Sequence, residues 1–183
     1  LERQVDYAQL AGQNAARNGI SCRVVTGDLT QPPADLRSES FDHVIANPPY
    51  FLGGTLGPDA GRAQARQEET PMAEWVSSGL RRLCPGGALT LIQRADRLDA
   101  LIAALMGRAG EITILPIAAR QGRDAGRIVI TARKGARGQL RLLAPFIMHE
   151  NPAHLADGED LSPAASAVLR EGAPLTNLFA KVS

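Results

Sequence analysis

Two consecutive prolines directly after a β-branched run fix where this chain must leave its sheet. Residues 41–46 (FDHVIA) lead straight into Asn47-Pro48-Pro49-Tyr50. Val44 and Ile45 give the run its strand character, and neither proline can donate a ladder hydrogen bond, so pairing must stop there. The tetrapeptide is thereby placed at the carboxyl end of a strand, where open α/β sheets hold their ligands. In a chain of 183 residues any given tetrapeptide arises by chance roughly once in a thousand sequences, so the motif has weight. The bland alternative is a rigid turn whose prolines merely end a strand.

The rest of the chain supplies alternating elements. Residues 3–18 read as a helix with Val5, Ala8, Leu10, Ala11 and Ala15 near one face, stopped by Asn18-Gly19. A short β-rich segment, 21–26, precedes Gly27-Asp28-Leu29, and Pro32-Pro33 marks a loop. The glycine-rich stretch 53–63 reads as a long loop of the kind that serves as a lid. Residues 71–84 and 97–106 are predicted helices, with Cys84-Pro85-Gly86-Gly87 ending the first. Strands are predicted at 88–92, 111–117 and 127–132, the last two as a hairpin around 122–126. An acidic loop at 150–160 and a short capped helix at 162–170 follow. This alternation implies an α/β fold with a mostly parallel sheet covered on both faces and an antiparallel hairpin toward its C-terminal end.

A hydrophobic content of 44% against 21% charged residues describes a compact chain, and its length fits one domain over 1–183. The net charge of +1 supplies no general pull toward nucleic acid, so any such binding must come from a local patch. Cys22 and Cys84 lie far apart without a C-x-x-C, and His43, His149 and His154 are scattered, so neither a disulfide framework nor a metal site is expected. A reducing, cytoplasmic setting fits. There is no apolar run of membrane-spanning length and no signal-peptide pattern, so no membrane association is expected.

Asn47-Pro48-Pro49-Tyr50 after an apolar strand resembles the motif of class I methyltransferases that modify exocyclic or amide nitrogens. The resemblance implies a Rossmann-like class I methyltransferase sheet of seven strands and S-adenosyl-L-methionine as methyl donor. It makes Asn47, Pro48, Pro49 and Tyr50 the catalytic set: the Asn47 side-chain oxygen and the Pro48 carbonyl accept hydrogen bonds from the target NH2, and Tyr50 stacks on the planar substrate. Such an amine is a poor nucleophile because its lone pair is delocalised into the ring. Two acceptors aimed at its hydrogens favour a pyramidal nitrogen whose lone pair points at the methyl group, and the prolines pre-orient the carbonyl. The resemblance also assigns the cofactor to Glu2, Asp28, Leu29 and Asn47, with Glu2 on the ribose hydroxyls and Asp28, in its Gly-Asp-Leu context, on the cofactor's adenine amine. Taken singly, each acid is more commonly a solvated loop carboxylate or a turn former. The glycine-rich loop between first strand and first helix has no counterpart, which predicts an N-terminally truncated domain with its first strand and cofactor loop missing, an exposed apolar groove there, and poor cofactor binding.

Within that family, Tyr50-Phe51, Ala65-Arg66-Gln67-Glu68 and 141–146 (RLLAPF) resemble the bacterial valine-tRNA adenine-N6 methyltransferases; Gln67 stands where His is expected. That similarity implies tRNA as partner and an anticodon-loop adenosine as target. Phe51, Arg66, Arg120, Arg123 and Arg127 are the candidate RNA contacts. The cluster Arg120, Arg123, Arg127, Arg133, Lys134, Arg137 and Arg141, opposed in the local sequence only by Asp124, could follow phosphates or simply be a solvated hairpin. A single-stranded loop base is cheaper to extrude into a pocket than a paired one, which favours RNA over duplex DNA. Two alternatives stay open: glutamine-N5 methylation of a release factor, which uses the same motif on an amide, and a non-catalytic methyltransferase-like binding module.

Overall fold

The computed structural model describes residues 1–49, 70–151 and 160–179, apart from the side chain of Asn177. The predicted lid at 53–63 and most of the acidic loop at 150–160 lie outside the described residues. The chain divides into two compact units, Leu1–Phe41 and Asp42–Ser183.

The first unit carries helix α1 (Val5–Arg17) and the short α2 (Ala34–Ser38). Helix α1 ends where Asn18-Gly19 predicts, with Gly19 at φ +63 and its N–H donating to the Ala16 carbonyl. One expectation is corrected here. Residues 21–26 form no strand ladder: their β content is one parallel bridge, Glu2 with Thr26. A β-rich segment becomes a strand only where a neighbour pairs along its length, and Glu2 supplies a single rung. Pro32 and Pro33 lie in a loop, as expected, and Pro33 is the N-cap of α2, where proline's fixed φ suits a helix entrance.

The second unit is a six-stranded mixed sheet. Its strands are β1 (Phe41–Ala46), β2 (Leu83–Arg94), β3 (Ala109–Ala118), β4 (Ala125–Lys134), β5 (Arg141–Leu142) and β6 (Phe146–Ile147). Along the sheet the order is β1-β2-β4-β3-β5, with β6 also pairing β3. The expected hairpin is β3/β4, but β4 does not sit at the sheet's margin: it is inserted antiparallel between β2 and β3, with Leu91 opposite Ile130 and Ile130 opposite Ile114. The short pairs β3/β5 and β3/β6 are parallel. Strand β2 also begins earlier than expected, since Cys84-Pro85-Gly86-Gly87 ends the helix yet belongs to the strand, with Gly86 at φ +75.

Helices α3 (Met72–Arg82) and α4 (Leu98–Leu105) pack on each other, and α3 also packs on β2. Val76, Leu80, Leu101 and Leu105 form one core with Leu89, Leu91, Ile114, Ile128 and Ile130. Each such side chain stabilises the fold by about 1.5–3 kcal/mol on burial. The helix lies so close to the sheet that a Cβ on Gly79 would come within 2.7 Å of Leu89 Cδ1. Helix α5 (Pro163–Glu171) starts as its sequence predicts: Ser162 Oγ accepts from the Ala165 N–H at 3.1 Å, and Pro163 occupies the first turn. The four-residue α6 (Thr176–Phe179) follows.

Candidate active site

Strand β1 ends at Ala46, as predicted, and leaves Asn47 exposed, Pro48 buried and Pro49 exposed. The proline ring is thus locked into the protein while the side chain before it faces outward, an arrangement that fixes the Pro48 carbonyl and offers the Asn47 amide. Tyr50, Phe51 and Arg66 lie outside the described residues.

Sequence reasoning missed a residue that touches this motif. Gln93, near the end of β2, is 1% exposed. Its Nε2 donates to the Pro48 carbonyl oxygen at 3.4 Å, and its Oε1 accepts from the Arg94 N–H at 2.8 Å. The second bond settles which end of the amide is which, because a reversed amide would set N–H against N–H and oxygen against oxygen. One sequence signal was available: Leu89, Leu91 and Gln93 alternate on the inward face of β2, and glutamine is out of place in that register. Just beyond it, the Arg94 Nη2 meets Asp96 Oδ2 at 2.6 Å, and this hydrogen bond holds the Asp96 carboxyl below its ordinary range.

The two acids assigned to the cofactor belong to the first unit and are neighbours within it. The Gly27 N–H donates to the Glu2 carbonyl at 2.9 Å, and the Glu2 N–H to the Val25 carbonyl at 3.0 Å, so Asp28 follows directly from the rung that holds Glu2. Gly27 is required there: a Cβ would stand 2.7 Å from Pro33 Cδ. Asp28 Oδ1 accepts from both the Thr30 N–H at 2.7 Å and Thr30 Oγ1 at 2.5 Å. These bonds, hydroxyl first, keep its carboxyl ionised to lower pH than a free aspartate. Glu2 Oε1 accepts the Gln4 N–H at 2.8 Å, at the entrance of α1. Each acid therefore also serves the local backbone. Leu29 is half-buried.

The basic cluster is partly consumed by the protein itself. Arg120 donates to Asp160 Oδ2 at 2.7 Å and to the Asn151 carbonyl; its side chain is 15% exposed and Asp160's 13%. Arg120 also lowers the Asp160 pKa, chiefly through that hydrogen bond. His149 Nδ1 lies 2.7 Å from the other carboxylate oxygen of Asp160. Arg133 binds the Gly86 carbonyl and faces Glu111 Oε2 at 3.4 Å, Lys134 binds the Leu83 carbonyl, and Arg141 the Phe179 carbonyl. The expectation that only Asp124 opposes the cluster is corrected, because Asp160 and Glu111 come from outside the hairpin turn. Arg123 and Arg127 are exposed. Among the described residues no three His, Cys, Asp or Glu side chains gather as a metal site, and no helix is long and apolar enough to cross a membrane.

A solved structure from Agrobacterium tumefaciens, described as a predicted O-methyltransferase, superposes with a TM-score of 0.70 at 29% identity, covering 91% of this chain and 74% of that one. A Listeria monocytogenes structure described as a candidate class I S-adenosylmethionine-dependent methyltransferase matches with a TM-score of 0.51 at 17% identity, covering 74% and 45%. The fold is that of a class I methyltransferase. A Porphyromonas gingivalis protein named tRNA1(Val) (adenine(37)-N6)-methyltransferase is 35% identical over 99 residues, which is 51% of this chain and 39% of the relative. A Bacteroides fragilis protein of the same name is 30% identical over 102 residues, 54% and 43%. The matches thus span less than half of these relatives' length. No family model matches the chain.

Proposed function

We propose that this protein transfers a methyl group from S-adenosyl-L-methionine to the N6 amine of an adenine in tRNA, in the anticodon loop, within the cytoplasm. The observation that carries the reading is the end of β1: an exposed Asn47 amide beside a carbonyl held by the buried Pro48. Two neighbouring acceptors suit an NH2 group, which has two hydrogens to give; a hydroxyl has one. This favours nitrogen as acceptor, although the Agrobacterium structure is described as an O-methyltransferase. The names of the Porphyromonas and Bacteroides relatives favour tRNA adenine over a protein amide.

The donor set in the first unit fits the cofactor. Asp28 is ionised and has one oxygen outside its Thr30 bonds, suited to an amine, and Glu2, one rung away, has a carboxylate suited to paired ribose hydroxyls. S-adenosyl-L-methionine supplies an electrophilic methyl group on a sulfonium. Asn47 and the Pro48 carbonyl would hold the amine's hydrogens and direct its lone pair, and Tyr50 and Phe51 would stack the base. Arg123, Arg127 and, by its place in the sequence motif, Arg66 would meet the RNA; Arg120 is better suited to tying Asp160 in place.

The test is methyl transfer from labelled cofactor by the full-length protein, offered unmodified tRNA and a release factor side by side. Label in tRNA, recovered as N6-methyladenosine, is the expected result. Label only in protein would overturn the RNA reading, and label in neither would support a binding module instead.

A further inference from the structure

We propose that Gln93 is a positioning residue for methyl transfer, holding the Pro48 carbonyl so that its remaining lone pair faces the acceptor amine; the proposal rests on the function set out above. A carbonyl oxygen has two lone pairs. The Gln93 amide reaches one of them from inside the protein, at 3.4 Å, while its own oxygen is pinned by the Arg94 N–H at 2.8 Å. The chain of contacts therefore runs from the β2 backbone through the Gln93 amide to the β1 terminus. Gln93 is, with Ser78 and Thr113, one of three buried polar side chains among the described residues, and it stands on an otherwise leucine-lined face of β2. Burying an amide there is unfavourable unless both its ends are satisfied. Arg94 and Pro48 satisfy them, and only the Pro48 contact reaches the proposed reaction centre. At 3.4 Å the bond is long, as catalytic hydrogen bonds often are before substrate tightens them.

This role differs from a purely structural one in its dependence on the donor. In Gln93→Met the side chain keeps its length and loses the N–H. In Gln93→Glu the protonated acid restores a donor toward Pro48, whereas the ionised acid sets an oxygen against the carbonyl; burial raises the pKa of such a carboxyl. Using full-length protein, kcat and cofactor KM are measured for tRNA methylation across about pH 5 to 9, alongside the 13C shift of the Pro48 carbonyl. Gln93→Met is expected to lower kcat about tenfold or more with cofactor KM within about twofold, and to move the Pro48 13C resonance upfield. The ratio of Gln93→Glu to wild-type kcat is expected to climb as pH falls. A Gln93→Met kcat within about twofold of wild type, or a Gln93→Glu ratio flat across the pH range, would overturn the proposal. If wild-type protein methylates no nitrogen acceptor, the proposed function fails. The carbonyl resonance then still decides the contact: an unchanged shift in Gln93→Met removes it, and an upfield shift sustains it.

Discussion

In the unit formed by residues 1–41 the only buried apolar side chain among the described residues is Ala8, whereas the unit from Asp42 onward buries Val76, Leu80, Leu91, Leu101, Ile114 and Ile130 among others. Val5, Tyr7 and Leu10 of α1 are each at least half exposed. Local hydrogen bonds, Asp28 with Thr30 and Glu2 with Gln4, Val25 and Gly27, do in the first unit what close packing does in the second. The two halves of the proposed chemistry thus rest on unequal supports. The methyl-accepting end stands on a packed sheet, and the acids proposed for the cofactor stand on turns. Rigid elements hold reacting groups more closely than loops do, so chemistry should depend on residues of the second unit and cofactor affinity on residues of the first.

The contrast is broken most directly at Asn47. Replacing it by alanine should lower kcat by about 10²–10³ in tRNA methylation, comparable to losing one preorganised transition-state contact, while the unfolding midpoint hardly moves because Asn47 is exposed. A fall confined to KM would contradict the role. Next in size is the core: Leu101→Ala, at a site 0% exposed, should cost about 2–5 kcal/mol in urea unfolding. The matching change in α1, Leu10→Ala, at a site 50% exposed, should stay within about 0.5 kcal/mol. Equal losses would mean the first unit is better packed than its burial indicates.

Two smaller effects sharpen the comparison. Arg120→Ala should lower the urea unfolding midpoint, since it takes from Asp160 its main partner. Arg123→Ala should leave unfolding unchanged and reduce the salt dependence of tRNA binding by about one counterion; a reversal of these two phenotypes would reassign the hairpin. Finally, Asp28 has a lowered folded pKa, so the stabilisation from its Thr30 turn is complete above the ordinary aspartate range and disappears as pH falls through that lowered value. The Thr30 amide resonance followed by NMR against pH should titrate below a free aspartate, and a midpoint at or above it would contradict the turn.

Much of the second unit is legible from residues alone. Pro48-Pro49 stops β1 at Ala46, the Met72 to Leu80 stripe marks α3, and Ser162-Pro163 opens α5. These are local effects of ring geometry, periodicity and capping. What escaped reading depends on partners. Residues 21–26 have strand composition, but only Glu2 comes alongside. Cys84 to Gly87 carry turn chemistry yet continue β2, whose Gly87 comes so close to β1 that a Cβ would meet the Asp42 carbonyl at 3.0 Å. Arg120 looks like its basic neighbours until Asp160 arrives from forty residues on. In the site, Asn47 and Pro48 announce themselves by motif, whereas Gln93 acquires meaning only when β2 lies beside β1.

The insertion of β4 between β2 and β3 bears on how the chain assembles during synthesis. Ala88 to Arg94 of β2 find their partners in Arg127 to Arg133, which emerge from the ribosome later than all of β3. Until then β2 carries an open edge, and β3 cannot settle against its final neighbour. Such late, non-local closure slows folding and leaves a pairing-competent edge in the nascent protein. Translation must therefore run past Arg133 before the strand that carries Gln93 is paired along both its edges.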